Sequence, residues 1–246
     1  MIQHILAIDS GNSFVKWGFF NHYRCLKQGK VPYDMVQNLK NDFKELQAPD
    51  SIIISHVART VTKNLICEKI SIWPVIPQWI RSCAFQCGVS NSYSDTAQLG
   101  SDRWASLIAA WEMQQQACLV INVGTAVTID ALSETGVFLG GVILPGFQLM
   151  LNSLQQSTQL FNADMSIYED FPVSTNSAIQ SGIIHSVIGA IERMYNLLSI
   201  QINHSVETII MSGGGASLLF PFIKIPTKVI DNLVLKGLVL IAEDSF

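Results

Sequence analysis

The sequence is poor in charge and contains no basic run. Only 14% of its 246 residues are charged, and the formal net charge is −4. The lysines and arginines are scattered along the chain, whereas a nucleic-acid-binding face would cluster them. The composition therefore argues against a nucleic-acid partner.

Membrane and secretion signals are also lacking. No apolar run reaches the roughly 18–20 residues that a membrane span needs. The chain enters a predicted strand at once, without a basic leader or a cleavage site. The five cysteines are irregularly spaced, and no histidine or second cysteine pair completes a zinc site with Cys83 and Cys87. We therefore expect a cytoplasmic protein with reduced thiols and no membrane contact.

Several common catalytic motifs are absent as well. The five histidines show no metal-ligand spacing. No Gly-x-Ser-x-Gly, His-Glu-x-x-His or Gly-x-x-x-x-Gly-Lys-Ser/Thr motif occurs, so none of these indicates a function. What the chain does have is apolar residues. They make up 49% of it, which is enough for sizeable cores and for apolar surface that a partner subunit would cover.

A polar turn that follows the apolar run 5–8 is the most informative segment. It comprises Asp9, Ser10, Gly11, Asn12 and Ser13. Gly11 would let the backbone approach an anion, while small polar side chains supply hydrogen-bond donors. Asp9 would repel a phosphate, but it suits a Mg²⁺ ion or its water shell. The apolar residues 14–20 then resume as a strand, so we predict a phosphate-binding hairpin; an ordinary turn is the alternative.

A second segment repeats this design about half a chain later. An apolar strand carries Asn122, and Gly124 and Thr125 precede a β-branched strand that ends in Asp130. A period of about 110 residues is too long for a solenoid and suits two related domains. We predict domains 1–115 and 116–246, with two phosphate turns facing each other across a cleft that holds ATP, as in the actin-like ATPase and sugar-kinase architecture.

The hydrophobic pattern predicts an α/β fold with two RNase-H-like domains, because strands come first and then alternate with helices, twice over. The predicted strands of the first half are 2–8, 14–20, 23–30, 51–55 and 72–76, and its helices are 34–46, 60–69 and 101–116. The second half has predicted strands 118–123, 126–132, 137–144, 208–212 and 229–230, and helices 147–156, 175–200 and 231–242. Residues 77–100 are predicted to form a long loop, and such loops are often functional.

A third polar segment opens the helix after this loop. It comprises Gly100, Ser101, Asp102 and Arg103. Ser101 or Asp102 could simply cap the helix, which would stabilise it by about 1 kcal/mol. Arg103 weighs against a plain cap, because a cation in the first turn opposes the helix dipole. In the functional alternative, Arg103 lies beside a bound anion and Asp102 accepts a proton from a substrate hydroxyl.

Two glycine-rich segments leave both a structural and a functional interpretation open. Residues 140–146 are either a bulged strand with a tight turn or a place of close backbone approach to a ligand. Residues 213–215 are either a flexible turn or a flat surface for an adenine or ribose.

Six motifs taken together resemble a known family. They are 9–13 (DSGNS), 100–103 (GSDR), 122–126 (NVGTA), 140–146 (GGVILPG), 175–182 (TNSAIQSG) and 231–238 (DNLVLKGL). Their order along nearly the whole chain is similar to that of the type III pantothenate kinases, which are related to the Bvg accessory factor proteins. The resemblance implies an actin-like kinase fold, a homodimer, and ATP-dependent phosphorylation of pantothenate in coenzyme A synthesis. It also implies Mg²⁺ with the ATP and a monovalent cation, K⁺ or NH₄⁺.

The resemblance further implies roles for single residues. Asp9 would bind Mg²⁺ through water. The residues implied to hold ATP are Asp9, Gly11, Asn12, Ser13 and Lys16 of the first turn and Gly124 and Thr125 of the second. Those implied to surround pantothenate are Tyr93, Gly100, Ser101, Asp102, Arg103 and, from the partner subunit, Thr175. Asp102 would be the general base.

Asn122 departs from the family pattern. Many members have an aspartate there, which binds the potassium ion. An amide oxygen can still coordinate K⁺ or NH₄⁺, but without the negative charge the site should be weaker. Two alternatives therefore stand beside the kinase: a kinase of another small hydroxylated substrate, and a catalytically weak or silent nucleotide-binding regulator of the accessory-factor type.

Overall fold

A computed structural model describes residues 3–157 and 168–244 of the chain. They form two compact units. The first unit lies within residues 1–115, 136–138 and 232–246, and the second within 116–135 and 139–231. No helix in the described ranges is long and apolar enough to cross a membrane.

Five strands form the sheet of the first unit. They are β1 (His4–Ser10), β2 (Phe14–Asn21), β3 (Arg24–Pro32), β4 (Ser51–His56) and β5 (Gln78–Trp79), arranged in the order β3-β2-β1-β4-β5. β2 is antiparallel to β1 and β3, whereas β4 is parallel to β1 and to β5. β1 is the central strand. Both of its faces are therefore covered, which explains why the run 5–8 is entirely apolar and buried.

The helices of the first unit pack their apolar sides on this sheet. They are α1 (Leu39–Lys44), α2 (Thr60–Ile70) and α3 (Ser101–Gln114). Phe43 of α1 contacts the rings of Trp17 and Trp73 in the core. The predicted helix 101–116 is confirmed. The loop before it contains a hairpin of two short strands, β6 (Phe85–Gln86) and β7 (Val89–Asn91).

The sheet of the second unit repeats the strand order of the first. Its strands are β8 (Cys118–Val123), β9 (Ala126–Leu132), β10 (Val137–Pro145), β11 (Thr208–Ser212) and β12 (Thr227–Val229). They stand in the order β10-β9-β8-β11-β12, with β9 antiparallel to β8 and β11 parallel to both β8 and β12. The first two residues of β10 pair with β7 and belong to the first unit. The repeat that the two polar turns predicted is confirmed by this topology.

Within the described ranges the second unit has three α-helices, two between β10 and β11 and one between β11 and β12. They are α4 (Phe147–Ser157), α5 (Thr175–Ile202) and α6 (Ala216–Leu219). Val187, Ile191 and Leu198 of α5 are buried in a core with β8, β9 and β11. The predicted helices 147–156 and 175–200 are therefore confirmed to within two residues.

The last helix, α7 (Leu233–Asp244), packs in the first unit. It lies directly on α3. A Cβ on Gly237 would fall 1.8 Å from the carbonyl oxygen of Ala105, so only glycine allows the two backbones to approach this closely. The grouping of α7 with the first unit differs from the division at 115/116, and that domain boundary stays a prediction.

Two predicted elements of the first half are wrong. The segment 34–46 is not one helix, because a 3₁₀-helix at Tyr33–Asn38 with non-helical dihedral angles at Met35 precedes α1. No strand forms at 72–76. Pro74 and Pro77 lack backbone N–H donors and flank the apolar residues 75–76. The strand that pairs with β4 is β5, which begins at Gln78.

Candidate active site

Asp9 lies at the carboxyl end of the central strand β1. Its partner across the strands is Lys16 on β2 and, on the other side, Ser55 on β4. The following turn is closed by a hydrogen bond of 3.1 Å from the Gly11 amide to the Phe14 carbonyl oxygen. Residues 12–13 of this turn are exposed. The predicted hairpin is thus present, with its carboxylate at the base and its small polar residues at the surface.

The electrostatic environment of Asp9 disfavours its charge. Burial is the main cause that raises the pKa of Asp9 to about 7, and the negative charge of Asp102 is the second. The positive charge of Lys16 opposes both. No group within residues 3–157 and 168–244 donates a hydrogen bond to the Asp9 carboxylate. A half-buried carboxylate without donors, close to a second carboxylate, is a place that a bound cation would stabilise.

The residues around Asp9 fit Mg²⁺ better than a metal held by protein alone. In the described part of the chain, no group of three or more histidine, cysteine, aspartate or glutamate residues could hold a metal ion. Mg²⁺ commonly uses one or two carboxylates and completes its shell with water and phosphate oxygens. Asp9 provides such a carboxylate beside an exposed turn.

Asp102 lies in the first turn of α3. Burial raises the pKa of its carboxyl group, and this exceeds the opposing effects of the Arg103 amide and the Arg103 charge. The Arg103 backbone N–H donates a hydrogen bond of 2.8 Å to Asp102 Oδ1. Gly100, and not Ser101 or Asp102, occupies the N-cap position, so the plain N-cap interpretation is wrong. A Cβ on Gly100 would lie 2.6 Å from Asp102 Oδ1, so glycine leaves the space that this carboxylate occupies.

Ser101 links the start of α3 to strand β4. Its hydroxyl lies 2.9 Å from that of Ser55, and both side chains are buried. Ser55 is the strand neighbour of Asp9, and Ser101 directly precedes Asp102. This hydroxyl pair therefore connects the backbone segments that carry the two carboxylates. The predicted contact of Ser101 with pantothenate stays a prediction.

Arg103 is almost completely buried, with 6% of its surface exposed. Its Nη1 donates a hydrogen bond of 3.2 Å to the Tyr93 hydroxyl. Its guanidinium group also lies 5.7 Å from the ring of Phe138, which packs on the Tyr93 ring. Two predicted site residues, Tyr93 and Arg103, are thus in contact. Phe138 was missed, because an apolar residue in a strand gives no sequence signal for such a role.

The second turn has the same layout in the second unit. Gly124 and Thr125 are exposed between β8 and β9, where the Gly124 amide donates to the Ala126 carbonyl oxygen at 3.0 Å. Asn122 is flanked across the strands by Thr128 on β9 and Ser212 on β11. Within the described ranges, the Thr128 hydroxyl is buried without a hydrogen-bond partner. This row of amide and hydroxyl oxygens fits a monovalent cation, which prefers oxygen ligands.

Thr175 is the first residue of α5 and is exposed. The helix is capped by the Ser174 hydroxyl, which accepts a hydrogen bond of 3.2 Å from the Ser177 amide. The preceding apolar side chains of Phe171 and Val173 are 91% and 94% exposed. Of the predicted site residues, those of the first turn, Tyr93 and 100–103 lie in the first unit. The second turn and Thr175 lie in the second unit.

Solved structures are similar to the chain over nearly its whole length. One is a putative Baf family transcriptional activator from Campylobacter jejuni, with a TM-score of 0.61 and 21% identity, covering 98% of each chain. Another is a putative N-acetylmannosamine kinase from Listeria monocytogenes, with a TM-score of 0.54 and 12% identity, covering 99% of this chain and 100% of the other. The chain has the α/β fold of the actin-like ATPases and sugar kinases.

Sequence comparison then identifies the family. The model of the type III pantothenate kinase family matches residues 5–197. A type III pantothenate kinase from Nitrosospira multiformis is 44% identical over 241 residues, covering 98% of this chain and 92% of the relative. Another from Nitrosomonas eutropha is 45% identical over 244 residues, with 98% and 95% covered. The chain belongs to the type III pantothenate kinase family.

Proposed function

We propose that this chain transfers the γ-phosphoryl group of ATP to the hydroxyl group of pantothenate. The product is 4′-phosphopantothenate, and the reaction is the first step of coenzyme A biosynthesis. Family membership supports the substrates. The observation that carries the chemistry is the presence in the first unit of two carboxyl groups whose pKa burial raises, Asp9 beside the exposed turn and Asp102 at the start of α3.

Asp102 is the group that we assign to the acceptor hydroxyl. Phosphoryl transfer depends on positioning and charge neutralisation more than on covalent help from the protein. The Asp102 carboxylate would orient the hydroxyl and take its proton late in the transfer. Its raised pKa makes it a better proton acceptor than an exposed aspartate. Arg103, held by Tyr93, places a positive charge beside this carboxylate.

The first turn is the part that we assign to the ATP phosphates. Gly11, Asn12 and Ser13 would provide backbone and small side-chain donors, and Lys16 a positive charge beside Asp9. When bound, Mg²⁺ neutralises negative charge on the phosphates. Asp9 would hold that ion through water. In the second unit, we assign Gly124 and Thr125 to nucleotide binding.

A turnover assay tests this proposal. Purified protein, Mg·ATP and pantothenate would be incubated with K⁺, NH₄⁺ or Na⁺, and phosphopantothenate would be detected by mass spectrometry. Product formation supports the kinase. ATP turnover with another hydroxylated compound only would indicate a different acceptor. ATP binding without any turnover would favour the nucleotide-binding regulator.

We also propose that Asn122, with Thr128 and Ser212, binds the monovalent cation. Because Asn122 lacks a charge, cation binding should be weaker than with aspartate by about 1–2 kcal/mol, or roughly ten-fold. Asn122→Asp should therefore lower the K⁺ concentration for half-maximal rate and leave the saturated rate nearly unchanged. The measurement is a titration of rate against KCl at constant ionic strength.

The reverse outcome of this titration is also informative. Asp130 is buried on β9, two residues from Thr128. If Asp130 already supplies the charge, the substitution would bring two anions together and weaken ATP binding. Identical half-saturation in both proteins would show that Asn122 is not a cation ligand.

We further propose a cytoplasmic homodimer. All five cysteines are free thiols, which suits a reducing compartment. The second unit exposes Ile143, Phe171 and Val173, and such apolar side chains favour burial against a partner. Sedimentation at micromolar concentration should give twice the chain mass of 27.1 kDa. Finding a monomer would contradict the proposed dimer, and with it the proposed role of Thr175 across the interface.

A further inference from the structure

A polar side-chain contact joins β1 to β4 on the sheet face opposite Asp9. Ser10 and His56 are strand partners, each the last residue of its strand. His56 Nδ1 lies 3.0 Å from the Ser10 hydroxyl. Successive side chains of a strand point to opposite faces, so Asp9 and Ser55 share one face and Ser10 and His56 the other. The two faces of this strand end therefore carry separate polar links.

Ser10 is the residue at which the strand becomes the phosphate turn. Its carbonyl oxygen accepts a hydrogen bond of 3.1 Å from the Val57 amide, which directly follows His56. Its side chain is fully buried. Gly11, the next residue, begins the turn. Both the backbone and the side chain of Ser10 are thus held by the segment 56–57, directly beside Asp9.

The imidazole of His56 is itself held in place. Its ring and that of Trp79 on β5 form a T-shaped pair, with centroids 5.7 Å apart and planes at 87°. The Lys63 ammonium of α2 lies over the same Trp79 ring, 4.5 Å from its centroid. Burial, and then the Lys63 charge, lower the pKa of His56. A neutral ring with a fixed orientation can keep one hydrogen bond to a hydroxyl, which is what a positioning group requires.

We propose that His56 is a positioning residue for the phosphate-binding turn and acts through Ser10. The contact fixes the carboxyl end of β1, and so the path of the backbone from Asp9 into Gly11. Without it, Ser10 would lose one of the two hydrogen bonds that hold it to the segment 56–57, and the turn would bind phosphate less well. The inference rests on the proposed function only in taking ATP as the ligand of this turn.

Matched substitutions at position 56 test the contact. The amide of asparagine can occupy the place of Nδ1, whereas that of glutamine reaches the place of Nε2. His56→Gln and Ser10→Ala should therefore raise the KM for ATP by roughly ten-fold, and His56→Asn should keep it within about two-fold of the wild-type value. The KM for pantothenate should change by less than about two-fold in all three variants.

His4→Asn is the control for a purely structural effect, because His4 contacts Asn21 through Nε2, which an asparagine side chain does not reach. His4 is a half-buried histidine at the other end of β1, and it contacts an amide, that of Asn21. It should shift the thermal unfolding midpoint without changing the KM for ATP. An unchanged KM for ATP in both His56→Gln and Ser10→Ala would overturn the proposal. So would equal increases in both KM values together with a lowered unfolding midpoint.

Direct binding separates this inference from the proposed function. Calorimetric titration with Mg·ATP needs no turnover, and it should show roughly ten-fold weaker binding for His56→Gln and Ser10→Ala. If the wild-type protein binds ATP but makes no phosphopantothenate, the kinase proposal fails and this titration still decides the role of His56. Equal affinities in all the proteins would overturn that role.

Discussion

Asp102→Asn should lower the rate of pantothenate phosphorylation by a factor of about 10² or more, as expected for the loss of a general base. Asparagine can still accept the hydrogen bond from the Arg103 amide, so the first turn of α3 should stay intact. Mg·ATP binding should be close to normal. Steady-state rates, with calorimetry for the nucleotide, measure both quantities.

Asp95 offers a matched control for this substitution. It is an exposed aspartate in the loop before α3, where its carboxylate accepts a hydrogen bond from the Ala97 amide and caps a short 3₁₀-helix. Asp95→Asn should leave the rate unchanged. If Asp102→Asn is equally active, the carboxylate of Asp102 serves only to bind the helix amide, and the acceptor hydroxyl must be oriented by another group.

Asp9→Asn should have effects of opposite sign on activity and on stability. Loss of the carboxylate removes the group that we assign to Mg²⁺, so activity should fall by at least about 10² even at saturating Mg²⁺. The free energy of unfolding, measured without metal and nucleotide, should instead increase near neutral and alkaline pH. A catalytic group that lowers the stability of the protein without its ligands behaves in this way.

The sign of the stability effect follows from the raised pKa. Folding shifts the pKa of Asp9 from 3.8 upward to about 7, so the folded state binds the extra proton within that window. Stability therefore falls as the pH rises through it, and the loss is complete above about pH 7. Because Asp9 is only half-buried, we expect a gain of on the order of 2 kcal/mol for the variant at high pH, vanishing near pH 4.

Urea denaturation of both proteins across this range provides the measurement. The wild-type protein should lose stability with rising pH relative to Asp9→Asn. A variant that is less stable than the wild type at alkaline pH would contradict the proposed environment of Asp9. Unchanged activity at saturating Mg²⁺ would remove Asp9 from the site.

The bounds of strands and helices were predicted best where the hydrophobic pattern and the turn residues indicate the same boundary. The bounds of β8, β9 and β11 match the prediction because Gly124 and the glycines after Ser212 end apolar runs unambiguously. The same agreement located both polar turns. The prediction failed at 72–76, where an apolar stretch resembles a strand but prolines flank it. It also failed at 33–38, where a 3₁₀-helix with non-helical dihedral angles at Met35 takes the place of the start of the predicted helix.

Contacts between distant segments could not be predicted in this way. The hydroxyl pair Ser55–Ser101, the aromatic contact of Arg103 with Phe138, and the contact of His56 with Ser10 each join segments more than 30 residues apart. The sequence around each of these residues is ordinary for its strand, helix or loop and gives no sign of the contact. Only the strand order, which places β4 beside β1, brings the last pair together.

The position of α7 has a consequence for biosynthesis. The first unit is discontinuous, since a helix that follows the whole second unit in sequence lies backbone to backbone on α3 at Gly237 and Ala105. During translation, the sheet β1–β5 and α3 emerge from the ribosome long before their covering helix. We therefore expect the nascent first unit to expose the apolar surface of α3 until residues 233–244 arrive, and to complete its packing late in the folding reaction.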